Sequence, residues 1–227
     1  MKRKQTPKPD ASTAREEVLF AGSDCKVIAA VDEVGRGALA GPVAVCAVAI
    51  IKGKMLKRPV GVRDSKKMTA LQRQRVYEQL IACPGLEYTV VMRDHTVIDQ
   101  VNIFNATMEA MTEAVTKLRA RPSHVLIDGP QRPPGLQNYL VECIVHGDQE
   151  CWAIAAASII AKVTRDRLMI KFSRMPAYLP YRFDSNKGYG TAVHLETLKV
   201  LGPSDIHRRS FAPVRECSIV NEATEAI

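Results

Sequence analysis

The stretch Lys26-Val27-Ile28-Ala29-Ala30-Val31-Asp32-Glu33-Val34-Gly35-Arg36-Gly37 decides the fold. Its β-branched and apolar run from Lys26 to Asp32 reads as a buried strand, and two adjacent carboxylates followed by a Gly-Arg-Gly turn close it. A charged pair is costly beside a buried strand unless a partner or a cation neutralises it. Neighbouring residues of a regular strand point to opposite faces. Asp32 and Glu33 therefore reach one site only if the strand bends or if one of them acts through the other. Alone, the pair would be a turn cap.

Further along, Val43 to Lys52 reads as a second strand entered through Gly41-Pro42, and Glu87 to Met92 as a third. Between them Thr69 is placed to cap a helix running to Ala82. Val101, Phe104, Met108, Met111, Val115 and Leu118 recur at helical spacing and predict one apolar stripe packed on a core. Ser123 to Asp128 and Leu140 to Val145 are two further short strands, the second running into His146-Gly147-Asp148. A long helix follows through Ile154, Ala157, Ala161, Leu168 and Phe172. Its Ala153 to Ala161 segment is so poor in bulk that the backbone must lie against a neighbour, most simply the sheet. Thr191 to Leu201 predicts a shorter helix closed by Gly202-Pro203. The alternation predicts an α/β domain with a mixed sheet flanked by helices, and a small helical element appended from about Leu179.

The chain has 227 residues, the size of one large domain. Its apolar fraction of 46% and charged fraction of 25% exclude disordered and fibrous classes. The longest apolar stretch, Ala38 to Ile51, falls short of the roughly 20 residues that cross a bilayer. Six scattered cysteines form neither a zinc pattern nor a disulfide framework and fit a reducing cytoplasm. Residues 1–22 are expected to be a basic, disordered tail, 23–215 the folded domain and 216–227 a second tail. The net charge of +8 points to a polyanion as partner. Residues 161–210 carry +6 of it and are expected to track phosphates, with Arg165 and Lys187 as candidate contacts.

Asp32, Glu33, Asp128 and Asp148 all fall near predicted strand ends, where ligand crevices of α/β sheets form. Four carboxylates without cysteine or a histidine cluster describe an oxygen-only site for Mg²⁺ or Mn²⁺. Two such ions about 4 Å apart can activate water and steady the leaving oxygen of a phosphodiester. The glycines of Gly35-Arg36-Gly37 allow close backbone approach to a ribose, leaving main-chain groups free to bind a 2′-hydroxyl. Tyr189, between two glycines, can lie flat on a sugar or base. Asp166 reads as a structural partner of a nearby arginine. His124, His194 and His207 lack ligand spacing and read as structural or surface groups.

The ordered set Val31-Asp32-Glu33-Val34-Gly35-Arg36-Gly37, Leu39-Ala40-Gly41-Pro42-Val43, Arg63-Asp64-Ser65-Lys66-Lys67, Leu126-Ile127-Asp128-Gly129, Gly147-Asp148, Ala155 to Asp166, Lys187-Gly188-Tyr189-Gly190-Thr191 and His207-Arg208-Arg209-Ser210-Phe211 resembles bacterial ribonuclease HII, from about Lys26 to Arg215. The resemblance implies an RNase H-like fold and a metal-dependent endonuclease acting on RNA/DNA hybrids and on ribonucleotides embedded in duplex DNA. Cleavage is implied on the 5′ side of the ribonucleotide, leaving 3′-hydroxyl and 5′-phosphate ends. It implies Asp32, Glu33, Asp128 and Asp148 as metal ligands, Gly35, Arg36, Gly37 and Tyr189 as substrate-binding residues, with Tyr189 stacking on the sugar at the RNA–DNA junction, and Ser65 and Lys66 as phosphate contacts. A monomer is expected. The chain departs from the family at His146, where a lysine is usual, and at Gln149-Glu150-Cys151-Trp152, which replaces a serine-rich turn. Alternatives are a ribonuclease HIII-like nuclease, disfavoured by the absence of a long N-terminal extension, and an inactive hybrid-binding protein, disfavoured by four intact acidic positions.

Overall fold

The computed structural model describes residues 10–22, 25–54 and 57–217. Five strands, β1 (Val27–Val34), β2 (Val43–Ile51), β3 (Leu86–Arg93), β4 (His124–Asp128) and β5 (Leu140–Ile144), form one mixed sheet in the order β3-β2-β1-β4-β5. β1 pairs antiparallel with β2 and parallel with β4, so the two halves of the sheet run differently on either side of it. The helices are α1 (Ala14–Gly22), α2 (Ala70–Ile81), α3 (His95–Thr116), α4 (Gly147–Glu150), α5 (Trp152–Phe172), α6 (Phe183–Asn186) and α7 (Ala192–Leu201).

Alternation along β1 and β2 divides the core. Ile28, Ala30, Cys46, Val48 and Ile50 pack with α5 and α2, whereas Ala29, Val31, Val45, Ala47 and Ala49 pack with α3. Both faces are covered, which is why these strands read as continuous apolar runs. The small residues Ala153 to Ala161 are all buried and lay α5 directly on the sheet, as their lack of bulk requires. Thr69 caps α2 in a reciprocal capping box with Gln72.

Two expectations need correction. Residues 14–22 form α1, and this segment is docked: Ala11 N–H donates to Val62 O at 2.8 Å, and the buried Glu16 accepts from Ala153 N–H at 2.7 Å, capping the start of α5 from a distance. Basic composition pointed to a tail, but one buried carboxylate and Ala11 give the segment a place to bind. Residues 1–9 and 218–227 lie outside the described residues. The stripe predicted for α3 also divides, because Asn102 takes φ +65 and its side chain accepts from Asn105 N–H, restarting the helix. Met108, Met111, Val115 and Leu118 are buried, but Phe104 turns outward. The appended element is present: a 3-10 turn at Pro176–Tyr181, α6 and α7 build a small core of Tyr178, Tyr181, Phe183 and Leu198 against Leu39 and Ala40 of the β1–β2 loop.

Candidate active site

β1 stays regular through Val34, with Asp32 opposite Cys46 and Glu33 opposite Val45 on β2. The two carboxylates therefore leave on opposite faces of an unbent strand, and they come near each other only because β1 ends there, where Asp32 feels the charges of both Glu33 and Asp128. Asp32, 5% exposed, accepts from Glu33 N–H at 2.7 Å and is hydrogen-bonded by the Ser158 hydroxyl of α5. Glu33 turns toward α3 and lines a groove of about 370 Å³ with Arg36, Phe104, Met108, Asp128, Gln131 and His146. Asp128 closes β4 and accepts from Gly147 N–H at 2.7 Å, which ties it to the turn carrying Asp148. Asp148 sits in the first turn of α4, just beyond the end of β5, and is buried.

These acids disfavour one another's charge. Burial pushes the Asp32 pKa well up, and Glu33 and Asp128 push it further. Glu33 is raised by burial and Asp128, with Arg36 opposing at 3.4 Å. Asp148 is raised by burial first, with Lys66 opposing and Asp128 adding. Asp128 is thus the carboxylate whose charge each of the other three feels. Among the described residues no three acidic, histidine or cysteine side chains already converge at ion distance. The donor set nevertheless fits a hard divalent cation. It is carboxylate oxygen throughout, the charges repel, and Asp148 Oδ2 is buried without a hydrogen-bond partner, so a cation would relieve both conditions.

The substrate side is built on the β1–β2 loop. Gly35 takes φ +93, and a Cβ there would stand 2.3 Å from Arg165 Nε, so this glycine is demanded by the protein itself. Gly37 is exposed, and a Cβ added to it would meet nothing within 4 Å, which leaves the backbone at Gly37 open to a ligand, while the Arg36 carbonyl accepts from Arg208 at 2.8 Å. Tyr189, partly exposed, bridges to Ala38 and holds its ring under Lys162 and Arg165, 5.6 and 5.4 Å from its centroid. Lys66 is exposed, with its ammonium 3.7 Å from Asp148 Oδ2.

Three predicted roles change. Arg165 is fully buried and is no phosphate-tracking residue: it donates to Pro42 O at 2.7 Å, Ala40 O at 3.1 Å and Lys187 O at 2.9 Å. Its charge was plain in the sequence but its direction was not, because a helix places every third or fourth residue inward. Ser65 is also buried, with its hydroxyl 2.9 Å from that of Ser158, so it supports Asp32 through Ser158 and faces no phosphate. Asp166 pairs with Lys162 at 2.8 Å and not with an arginine. Lys187 remains on the surface side, where burial and the nearby Lys162 and Arg73 lower its pKa against the pull of Asp166. Sequence reasoning missed Ser158, although it is the only hydroxyl in the Ala153 to Ala161 stripe, and wrongly counted Arg208 in the phosphate-tracking charge of residues 161–210. Arg208 is buried and donates to Gly41 O at 3.0 Å and Arg36 O at 2.8 Å.

Four carboxylates thus stand near the strand ends of one mixed sheet, beside a backbone that is open at Gly37. Residues 29–214 match the family model for ribonuclease HII, and the chain belongs to that family. It is 43% identical over 208 residues to ribonuclease HII of Chlamydia caviae, covering 91% of this chain and 93% of that protein. Among solved structures it resembles ribonuclease H2 of Pyrococcus horikoshii with a TM-score of 0.75 and 27% identity, covering 86% of this chain and 99% of that one. The fold is also that of Bst RNase HIII, solved in complex with Mn²⁺, at a TM-score of 0.67 and 19% identity, covering 87% of this chain and 70% of that one.

Proposed function

We propose that this chain hydrolyses the RNA strand of RNA/DNA hybrids and cuts duplex DNA on the 5′ side of an embedded ribonucleotide, leaving 3′-hydroxyl and 5′-phosphate ends. The observation that carries this reading is the placement of mutually repelling carboxylates near the ends of β1, β4 and β5, beside a backbone open at Gly37. Asp32, Glu33, Asp128 and Asp148 would hold two Mg²⁺ or Mn²⁺ ions. Bound there, the ions supply an activated water and charge stabilisation for the leaving oxygen.

The protein's own groups do the rest. Ser158 and the Glu33 amide orient Asp32, and the Gly147 amide orients Asp128, so both carboxylates are fixed before substrate arrives. Lys66 stands beside Asp148 and is available to a phosphate oxygen. The main chain at Arg36 and Gly37 would bind the 2′-hydroxyl, and the Tyr189 ring would lie on the sugar that follows, where a further 2′-hydroxyl would crowd it. An inert hybrid binder would gain nothing from buried acids facing a polyanion. The test is to incubate the protein with an all-DNA duplex, a duplex with one ribonucleotide and an RNA/DNA hybrid, with and without Mg²⁺ or Mn²⁺. Metal-dependent cutting of the last two alone is expected; cutting of the all-DNA duplex at a similar rate would overturn the reading.

A further inference from the structure

His194 on α7 and His207 are both fully buried, with their Nε2 atoms 3.0 Å apart. One proton fits between them, and the outer partners decide which ring carries it. Ser204 N–H donates to His207 Nδ1 at 3.0 Å, so that nitrogen is bare and the His207 proton sits on Nε2. It points at His194 Nε2, which must then be bare, leaving the His194 proton on Nδ1. That nitrogen is 2.9 Å from the carbonyl oxygen of Tyr189, which only accepts. Donation therefore runs one way, from Ser204 through His207 and His194 to Tyr189. The rings of Tyr181 and Phe183 enclose the pair, at 4.9 Å from His207 and 5.5 Å from His194. Burial keeps both imidazoles neutral, pushing the pKa of His207 down to about 3.

A pair of apolar side chains would fill this space without burying four ring nitrogens. What the histidines add is direction at the Tyr189 carbonyl. They also connect it to the loop before β2. His207 bridges to Ala40, Gly41 N–H donates to Ile206 O at 2.9 Å, and Arg208 donates to Arg36 O, while Leu39 N–H reaches Gly188 O at 2.8 Å. The same short segments thus hold both Tyr189 and the Gly35-Arg36-Gly37 turn. We propose that His194 and His207 are positioning residues that fix the Tyr189 ring relative to that turn and thereby set the preference for a ribonucleotide–DNA junction over a uniform hybrid. The inference rests on the junction-reading role given to Tyr189 above.

The test compares cleavage rates on a single-ribonucleotide duplex and a uniform hybrid for the wild type, Tyr189→Ala, His194→Gln, His194→Asn and His207→Phe. Asn places its amide nitrogen where Nδ1 stands, and Gln where Nε2 stands. His194→Gln and His207→Phe should lower the junction-to-hybrid ratio about fivefold, the factor one net hydrogen bond is worth, through kcat on the junction substrate. His194→Asn should restore the ratio to within about twofold of wild type. If Tyr189→Ala lowers the ratio and neither His194→Gln nor His207→Phe does, the histidine assignment is wrong and the Tyr189 reading stands. If Tyr189→Ala leaves the ratio unchanged, both fall. Independently of any variant, ¹⁵N spectra of the wild-type imidazoles should show His207 protonated on Nε2 and His194 on Nδ1; any other pair of tautomers contradicts the inference.

Discussion

The Lys66 ammonium stands 3.7 Å from Asp148 Oδ2, an ion pair too long to be a hydrogen bond, and brings a cation to the fourth carboxylate from a different segment than the family's usual lysine. His146, in that usual place, adopts φ +58 and is exposed on the groove wall. Lys66→Ala should lower kcat/KM about tenfold or more on either ribonucleotide substrate, with Lys66→Arg retaining part of it. His146→Lys should change activity by less than about twofold, because the cation is already supplied. Steady-state rates between pH 6 and 9 check both; a large gain in His146→Lys would mean that Lys66 does not serve this position.

Asp32→Asn separates stability from function. The Asp32 pKa is raised in the folded protein, by burial first and then by Glu33 and Asp128. A raised carboxylate favours the folded state below its unfolded pKa and loses that contribution as pH rises through the folded value. At neutral pH, above the unfolded value, the metal-free fold is therefore less favoured than it would be with a neutral side chain at this position. Asn supplies such a side chain and keeps an acceptor for the Glu33 amide. The metal-free Tm should rise, each kcal/mol gained being worth about 2–4 °C in a domain of this size. Activity should fall by orders of magnitude and Mg²⁺ should stabilise the variant less than the wild type. Thermal melts with and without Mg²⁺, read beside activity, test this; near wild-type cleavage would remove Asp32 from the site.

The two glycines of the turn should behave differently. Gly35→Ala forces a Cβ to within 2.3 Å of the buried Arg165 Nε at φ +93, and should cost about 1–3 kcal/mol of stability. Gly37→Ala meets no protein atom within 4 Å. Its stability should stay within about 0.5 kcal/mol of wild type, as for an unconstrained surface change, while cleavage at an embedded ribonucleotide falls because the methyl occupies the approach of the sugar. Denaturation curves and cleavage rates of the pair decide whether the turn is open for a ligand or merely open.

Arg165 and Lys187 divide the same way by salt dependence. Lys187→Ala should reduce the log–log salt slope of duplex binding by about one unit, the signature of a lost phosphate contact. Arg165→Met should leave the slope unchanged and instead lower stability, because the carbonyls of Ala40, Pro42 and Lys187 lose their shared donor.

Much of this was legible in the sequence because it is written in short-range patterns. The apolar runs of β1 and β2, the Thr69 cap and the small residues of α5 each act through neighbours a few positions away, and the structure has them where those patterns put them. The carboxylates near the ends of β1, β4 and β5 were visible for the same reason. What stayed hidden depends on long-range contact. Glu16 reaches Ala153, Ser65 reaches Ser158, and Arg165 turns inward to the β1–β2 loop. Composition gives the charge of such residues but not the face they occupy. The outward turn of Phe104 was hidden as well, because it follows from one backbone torsion at Asn102, which no periodicity records.

If a carboxylate-held metal site drives water, and not the ribose hydroxyl, against the phosphate preceding a ribonucleotide, the ends left by cleavage identify the nucleophile. Both ends can be mapped from a duplex with one labelled ribonucleotide, using wild type and Asp128→Asn with Mg²⁺ present. A single cut on the 5′ side of the ribonucleotide is expected in the wild type, with a 3′-hydroxyl on the upstream DNA and a 5′-phosphate on the ribonucleotide, and loss of that cut in Asp128→Asn. A cut on the 3′ side leaving a 2′,3′-cyclic phosphate, or cleavage undiminished in Asp128→Asn, would contradict attack by water at this site.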